Sequence, residues 1–288
     1  MSHPAPFSPA APDAAPDAGF ALVRVPVAPL HAEPRVSSAQ TSQALFGRPV
    51  VRVGRSGEWW RVRTAPDGYE GWTHGGYLTV LDDPGVAAAV AAAPPGAVPA
   101  LPAAGSDLRV ALGCTARVGG RTLRLPLGAW VAPAGALLAG EAVPLAELPE
   151  RFPADGEAVV RTARRYFEST SYQWGGLTPW GADCSGMVQA VYALHGAALP
   201  RDAWQQAGAG RDAGGDLAAH APGDLLFFSD RDDGRVTHVG LAAGGGAMCH
   251  VALGRGGWAV DDLADADGDD AYARRLRAQF VGARRVLG

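Results

Sequence analysis

Cys184, His238 and His250 have the types and the sequence setting that nucleophilic catalysis uses. Cys184 stands where an aromatic, glycine-punctuated loop, Trp174-Gly175-Gly176-Leu177-Thr178-Pro179-Trp180-Gly181-Ala182-Asp183, runs into a helical pattern. After it Met187, Val188, Val191 and Leu194 recur at helical spacing, Asp183 suits an N-cap and Gly196 supplies a stop. A thiol in the first helical turn feels the positive end of the helix dipole and unpaired backbone N–H groups, which are expected to lower its pKa and favour the thiolate. The competing reading is a buried cysteine at a helix–loop junction, with no chemistry of its own.

A cysteine nucleophile needs a base, and the two histidines fall on segments that the turn Gly244-Gly245-Gly246 folds together. Their separation is even, so both imidazoles are expected on one sheet face, opposite or diagonal to each other, with Val239 and Leu241 on the other. Cys249 then points away from His250 and reads as a core residue. Alone, each histidine reads as structural. With Cys184 they form the set of thiol, imidazole base and orienting polar group. The chain contains no Asn, so His250 is the third member, fixing the tautomer of His238. An open zinc site built from the same three residues is the other arrangement they allow.

The elements that must position these groups follow a change of character along the chain. Residues 1–19, rich in Pro, Ala and Asp, read as a disordered tail. Residues 20–82 carry short β segments at Ala21–Val25, Pro49–Val53, Trp59–Arg63 and Gly71–Thr73 between turn signals, the pattern of a small barrel. An Ala/Pro-rich linker is expected over 83–105, then a second, degenerate barrel over 106–150 with a hairpin at Gly119-Gly120 and Cys114 in its core. Residues 151–288 begin with an amphipathic helix from Glu157 to Glu168 and continue, after the Cys184 helix, as an antiparallel sheet, an α+β arrangement.

Composition narrows the partners. The 288 residues have a net charge of −4, and all 25 basic residues are Arg, which gives no reason to expect nucleic acid or an anionic membrane. Three irregularly spaced cysteines argue against a disulfide framework or a structural zinc cluster. No secretory signal or spanning segment is seen, so a cytoplasmic protein is expected, or a secreted one if the N-terminus is truncated. No cofactor or metal is expected, and a monomer is.

The run Gly57-Glu58-Trp59-Trp60-Arg61-Val62 with Asp67-Gly68-Tyr69-Glu70-Gly71-Trp72 resembles bacterial SH3-like domains. From residue 155 onward the order Tyr172-Gln173-Trp174-Gly175-Gly176, Asp183-Cys184-Ser185-Gly186, Leu199-Pro200-Arg201-Asp202, Pro222-Gly223-Asp224-Leu225, His238-Val239-Gly240 and Cys249-His250 resembles the NlpC-type cysteine peptidases, papain-like hydrolases of bacterial cell-wall peptides. With barrels in front, the chain is similar to γ-D-glutamyl-L-diamino-acid endopeptidases, which cut peptidoglycan stem peptides bearing a free N-terminal L-Ala. The fold so implied is two small all-β SH3-like barrels followed by an α+β papain-like catalytic domain.

The resemblance implies Cys184 as nucleophile, His238 as general base and then acid, and His250 as its orienter. It implies Tyr172 and the Cys184 N–H as oxyanion donors, each worth about 3–4 kcal/mol. Asp183 would hold the substrate's ammonium, Ser185, Arg201 and Asp202 would line that subsite, and Tyr69 of the first barrel would close it. Relatives often carry Glu near Ala39 and Ser near Ala203, departures that bear on the demand for a free amine, with Glu33 nearby as a substitute. An amidase or acyltransferase of the same fold, or a non-catalytic peptidoglycan-binding protein, are the alternatives.

Overall fold

The computed structural model describes residues 19–81, 108–132, 135–265 and 268–288. The expected linker, and all of the expected tail but Gly19, lie outside them. Seven strands form the first unit: β1 (Gly19–Val23), β2 (Val27–His31), β3 (Gln40–Leu45), β4 (Pro49–Ser56), β5 (Trp59–Thr64), β6 (Glu70–His74) and β7 (Leu78–Leu81). They pair antiparallel in the order β3-β2-β6-β5-β4-β1-β7 around a core that includes Val23, Leu30, Val50, Trp60 and Val62. The strands read from sequence, Ala21–Val25 among them, correspond to β1, β4, β5 and β6. The others, β2, β3 and β7, lie outside the segments that the sequence pattern marks as strands.

The second unit is a four-stranded sheet centred on one long strand, β8 (Arg109–Val118), with β9 (Arg121–Leu125), β10 (Trp130–Val131) and β11 (Ala136–Pro144). The hairpin expected at Gly119-Gly120 joins β8 to β9, with Val118 opposite Arg121. Cys114 is buried in its core beside Leu125 and Val131. Trp130 N donates to Phe46 O at 2.8 Å and Arg48 Nε to Gly128 O at 3.0 Å, so this sheet is stitched to the first barrel. Its other side, through Val110, Leu112, Leu127 and Val143, joins the core of the third unit.

In the third unit a helix over Gly156–Phe167 is followed by the two-residue pair β12 (Leu177–Thr178) and β13 (Gly181–Ala182), then the helix Cys184–Leu194. A six-stranded antiparallel sheet comes next, formed by β14 (Arg211–Asp212), β15 (Leu225–Phe228), β16 (His238–Gly244), β17 (Ala247–Ala252), β18 (Gly257–Asp262) and β19 (Phe280–Arg285), in the order β14-β19-β15-β16-β17-β18. Val159, Ala163 and Phe167 of the first helix and Met187, Val188 and Val191 of the second pack on Val239, Leu241, Cys249 and Val251 of one sheet face. Burying each of the larger side chains contributes about 1.5–3 kcal/mol, so the cysteine helix is fixed on the sheet that carries the histidines. Cys249 belongs to this core and is fully buried, as its position in the strand alternation requires.

The expected order, helices and then only strands, needs correction, and a one-turn helix over Ala203–Gln206 already follows the cysteine helix. A helix over Ala271–Ala278 lies between β18 and β19, capped by Asp270, whose side chain accepts from the N–H groups of Tyr272 and Ala273. Four of its eight residues are polar Arg or Tyr, which hides its periodicity. With Leu276 and Leu263 it covers the second sheet face, over Leu226, Phe228, Ala242 and Met248. No helix among the described residues is long and apolar enough to cross a membrane.

Candidate active site

The start of the cysteine helix is held by a closed polar network. Asp183 caps it, Oδ1 accepting from Gly186 N at 2.8 Å, while Oδ2 accepts from Gly175 N at 2.8 Å and so ties down the aromatic loop. Gly175 has φ +72°, and a Cβ there would meet the backbone of Gln40, so glycine suits this turn on two counts. Arg201 then grips the same carboxylate with both ends of its guanidinium, Nη2 to Oδ2 at 2.7 Å and Nη1 to Oδ1 at 3.0 Å. Nη1 also donates to Ser185 Oγ at 2.9 Å and Nε to Ser42 Oγ of β3 at 3.2 Å. Burial works against the charge of Arg201, but the contact with Asp183 wins and holds it protonated.

The first barrel therefore belongs to the site. Besides Ser42, Gln40 Nε2 donates to Trp174 O at 3.0 Å, Gln43 Oε1 accepts from Leu177 N at 3.0 Å, and Asp67 Oδ2 accepts from Gln189 Nε2 at 2.9 Å. Tyr69 arrives on the same face, its hydroxyl hydrogen-bonded with Thr41. Burial and then the charge of Asp202 push its pKa up. Asp202 is half-buried, and burial raises its carboxyl above the usual range, an effect that Arg201 partly offsets. Glu33 is exposed at the barrel surface, paired with Arg35 at 2.9 Å, and Ala39 is exposed, while Ala203 is buried.

Cys184 Sγ lies against the backbone N–H groups of Val239 and Ser185. The expectation of a lowered thiol pKa is reversed: burial, then the charge of Asp183, push it up to about 12, and the two N–H groups and Arg201 only partly compensate. The dipole argument holds for a helix start open to solvent, and this one is closed. Burial, then the charge of His250, lower the pKa of His238. Burial thus favours the uncharged form of both the Cys184 thiol and the His238 imidazole. Tyr172 sits beside Cys184, and burial with the neighbouring Cys184 and Asp183 raises its pKa, so its phenol keeps its proton and can donate.

His238 Nε2 and His250 Nδ1 are 2.7 Å apart, with the ring centroids 5.0 Å apart and nearly perpendicular. The β16–β17 register, Leu241 opposite Cys249, places the two diagonally on one face, as the spacing predicts. Between them Gly240 leaves the room they need, because a Cβ there would strike Met248 and crowd His250. The sequence reading missed Asp261 of β18, whose Oδ2 is 2.9 Å from His250 Nε2. Its signal is the short apolar run Trp258-Ala259-Val260 just before it, the body of strand β18. Among the described residues, no group of three or more His, Cys, Asp or Glu side chains has an arrangement able to hold a metal ion.

One correction concerns Asp183. Both oxygens are taken by Gly175, Gly186, Ser185 and Arg201, and with Ser185 and Arg201 it is buried. Its charge is already matched by that of Arg201. Asp202 and Tyr69 are the less enclosed of the residues expected to hold the amine.

Residues 169–276 match the NlpC/P60 family and residues 26–79 the bacterial SH3 domain, so the chain carries an NlpC/P60 domain behind a bacterial SH3 domain. It is 41% identical over 93 residues to a gamma-D-glutamyl-L-lysine dipeptidyl-peptidase of Bacillus subtilis, a stretch covering 32% of this chain and 30% of that protein. It is also 43% identical over 94 residues to a bifunctional muramidase/DL-endopeptidase of Bacillus subtilis, covering 32% of this chain and 28% of that one. The chain thus spans under a third of the length of these curated relatives. A crystal structure of an NlpC/P60 family protein from Bacillus cereus superposes with a TM-score of 0.67 over 93% of this chain and 100% of its own at 19% identity, which shows a shared fold.

Two outcomes follow from this geometry. Removing one partner of a buried ion pair leaves an uncompensated charge, so Arg201→Ala should lose about 3–5 kcal/mol of stability in urea unfolding; a loss within about 0.5 kcal/mol would contradict the network. Iodoacetamide alkylation of Cys184, followed by peptide mapping, should be slower than for a free thiol at pH 7 and still rising through about pH 9. A rate already at its plateau by pH 6 would mean a resting thiolate.

Proposed function

We propose that this protein is a cysteine hydrolase that cuts the γ-D-glutamyl–diamino acid bond of peptidoglycan stem peptides carrying a free N-terminal L-Ala. The observation that carries the reading is the helix-start thiol at the head of β16, whose His238 is hydrogen-bonded to His250 of β17, under a wall supplied by the SH3 domain. The names of the relatives support the substrate class. An L-Ala amine becomes free only once the peptide has left its glycan, so such an enzyme acts on released fragments, which favours cell-wall peptide recycling. In this reading the unit over 106–150 is a degenerate SH3-like barrel that braces the first barrel against a catalytic domain over 151–288.

Because burial favours the uncharged thiol and imidazole, the proton moves as the bond forms. Cys184 Sγ attacks the γ-carbonyl carbon while His238 takes the thiol proton. The Tyr172 hydroxyl and the Cys184 N–H donate to the developing oxyanion. Collapse breaks the C–N bond, and the diamino acid leaves with the proton from His238. Water, deprotonated by His238, then attacks the thioester and releases L-Ala-D-Glu, and His238 returns that proton to the Cys184 thiolate. Asp183, Ser185 and Arg201 form the rigid floor under the substrate's amino end, and Asp202 with Tyr69 meets the ammonium.

Incubation with L-Ala-γ-D-Glu-diaminopimelate should release diaminopimelate, and Cys184→Ala should lower kcat by about 10⁴-fold or more. The N-acetylated peptide should be cleaved with kcat/KM at least about 100-fold lower, since a site built for a charged group rejects one that lacks it. Equal cleavage of both peptides would remove the amine from the reading, and full activity in the alanine variant would remove the thiol.

A further inference from the structure

His238, His250 and Asp261 stand on three adjacent strands, β16, β17 and β18, and share one face of the sheet. The β17–β18 register puts Met248 opposite Asp261 and Ala259 opposite His250, so the aspartate lies diagonal to His250 just as His250 lies diagonal to His238. His250 is fully buried, and apart from the Asp261 oxygen at 2.9 Å its Nε2 has no partner among the described residues. The second oxygen of Asp261 is gripped by Arg255 Nη2 at 2.5 Å, and the same nitrogen reaches Oδ2 of Asp270 at 2.5 Å, the cap of the last helix. Burial alone would raise the pKa of Asp261, but the hydrogen bonds from His250 and Arg255 win and hold it below the ordinary value, so it is charged at neutral pH.

Two imidazoles joined through one nitrogen each must place a single proton between them. Taken alone the pair leaves open which ring donates. A carboxylate on His250 Nε2 removes that freedom because an ionised carboxylate only accepts. His250 then carries its proton on Nε2, its Nδ1 accepts from His238 Nε2–H, and His238 Nδ1 is left as the unprotonated base. With the opposite order His238 would carry its proton on Nδ1, and its Nε2 lone pair would be occupied by His250. We propose that Asp261 is a positioning residue that sets the tautomers of both histidines, extending the cysteine–histidine–histidine set to a four-residue relay. This rests on the hydrolase reading, but the tautomers can be read without any substrate.

Asp261→Asn keeps the size of the side chain and supplies an amide N–H that favours the opposite tautomer. In ¹⁵N-histidine-labelled protein, two-bond ¹⁵N–¹H correlation spectra should show His250 protonated on Nε2 in the native protein and on Nδ1 in D261N. With L-Ala-γ-D-Glu-diaminopimelate, kcat of D261N should fall at least about tenfold with KM within about twofold, because a wrong tautomer costs the proton-transfer step and leaves binding alone. A native protein with His250 protonated on Nδ1 overturns the proposal even if D261N does not fold. So does a kcat that does not change in a folded D261N. If the native protein leaves that peptide intact, the substrate reading fails, and the spectra still decide the role of Asp261.

Discussion

The buried pair of Asp183 and Arg201 ties together the start of the cysteine helix, the aromatic loop before it and the first barrel. One carboxylate caps the cysteine helix, fixes the aromatic loop through Gly175 and accepts both arms of a guanidinium whose remaining nitrogen reaches into the first barrel at Ser42. Such a pair is not worth much as a source of stability, since two charges lose their hydration to form it. What it gives is geometry: neither partner can leave without stranding the other's charge. The helix start, the loop before it and the first barrel are therefore held in one arrangement.

The same closure changes the chemistry. Water is kept from the start of the helix, so the dipole and the two backbone N–H groups at Cys184 do not suffice to ionise it, and the thiol is pushed up to about 12. His238 is pushed the other way. Both shifts have the same leading cause, the cost of charge in a low-dielectric site, to which the charge of Asp183 adds at the thiol and that of His250 at the imidazole. The first barrel brings Tyr69 close enough to Asp202 for the aspartate's charge to raise the tyrosine pKa.

Much of this was legible in the residues. Apolar positions at helical spacing after Asp183 mark the cysteine helix, and the alternation of Val239, Leu241, Cys249 and Val251 puts both histidines on the face opposite the core. What stayed hidden depends on contacts distant in sequence. Asp183 reads locally as a cap, and only the approach of Arg201, 18 residues on, shows that its charge is already matched. The helix over Ala271–Ala278 is too polar to declare itself, and β18 follows a glycine pair that reads as loop. Asp261 was lost with that strand, along with the partner that orders the histidine protons.

The central claim is that Cys184 passes through a γ-glutamyl thioester. It is tested most directly by rapid acid quench of the enzyme with L-Ala-γ-D-Glu p-nitroanilide, whose good leaving group speeds acylation, followed by intact-protein and peptide mass spectrometry. The account predicts one Ala-Glu acyl group, mapped to Cys184 and absent when the N-acetylated anilide is used. Steady release of p-nitroaniline with Cys184 unmodified at every quench time, and undiminished in Cys184→Ala, would contradict it.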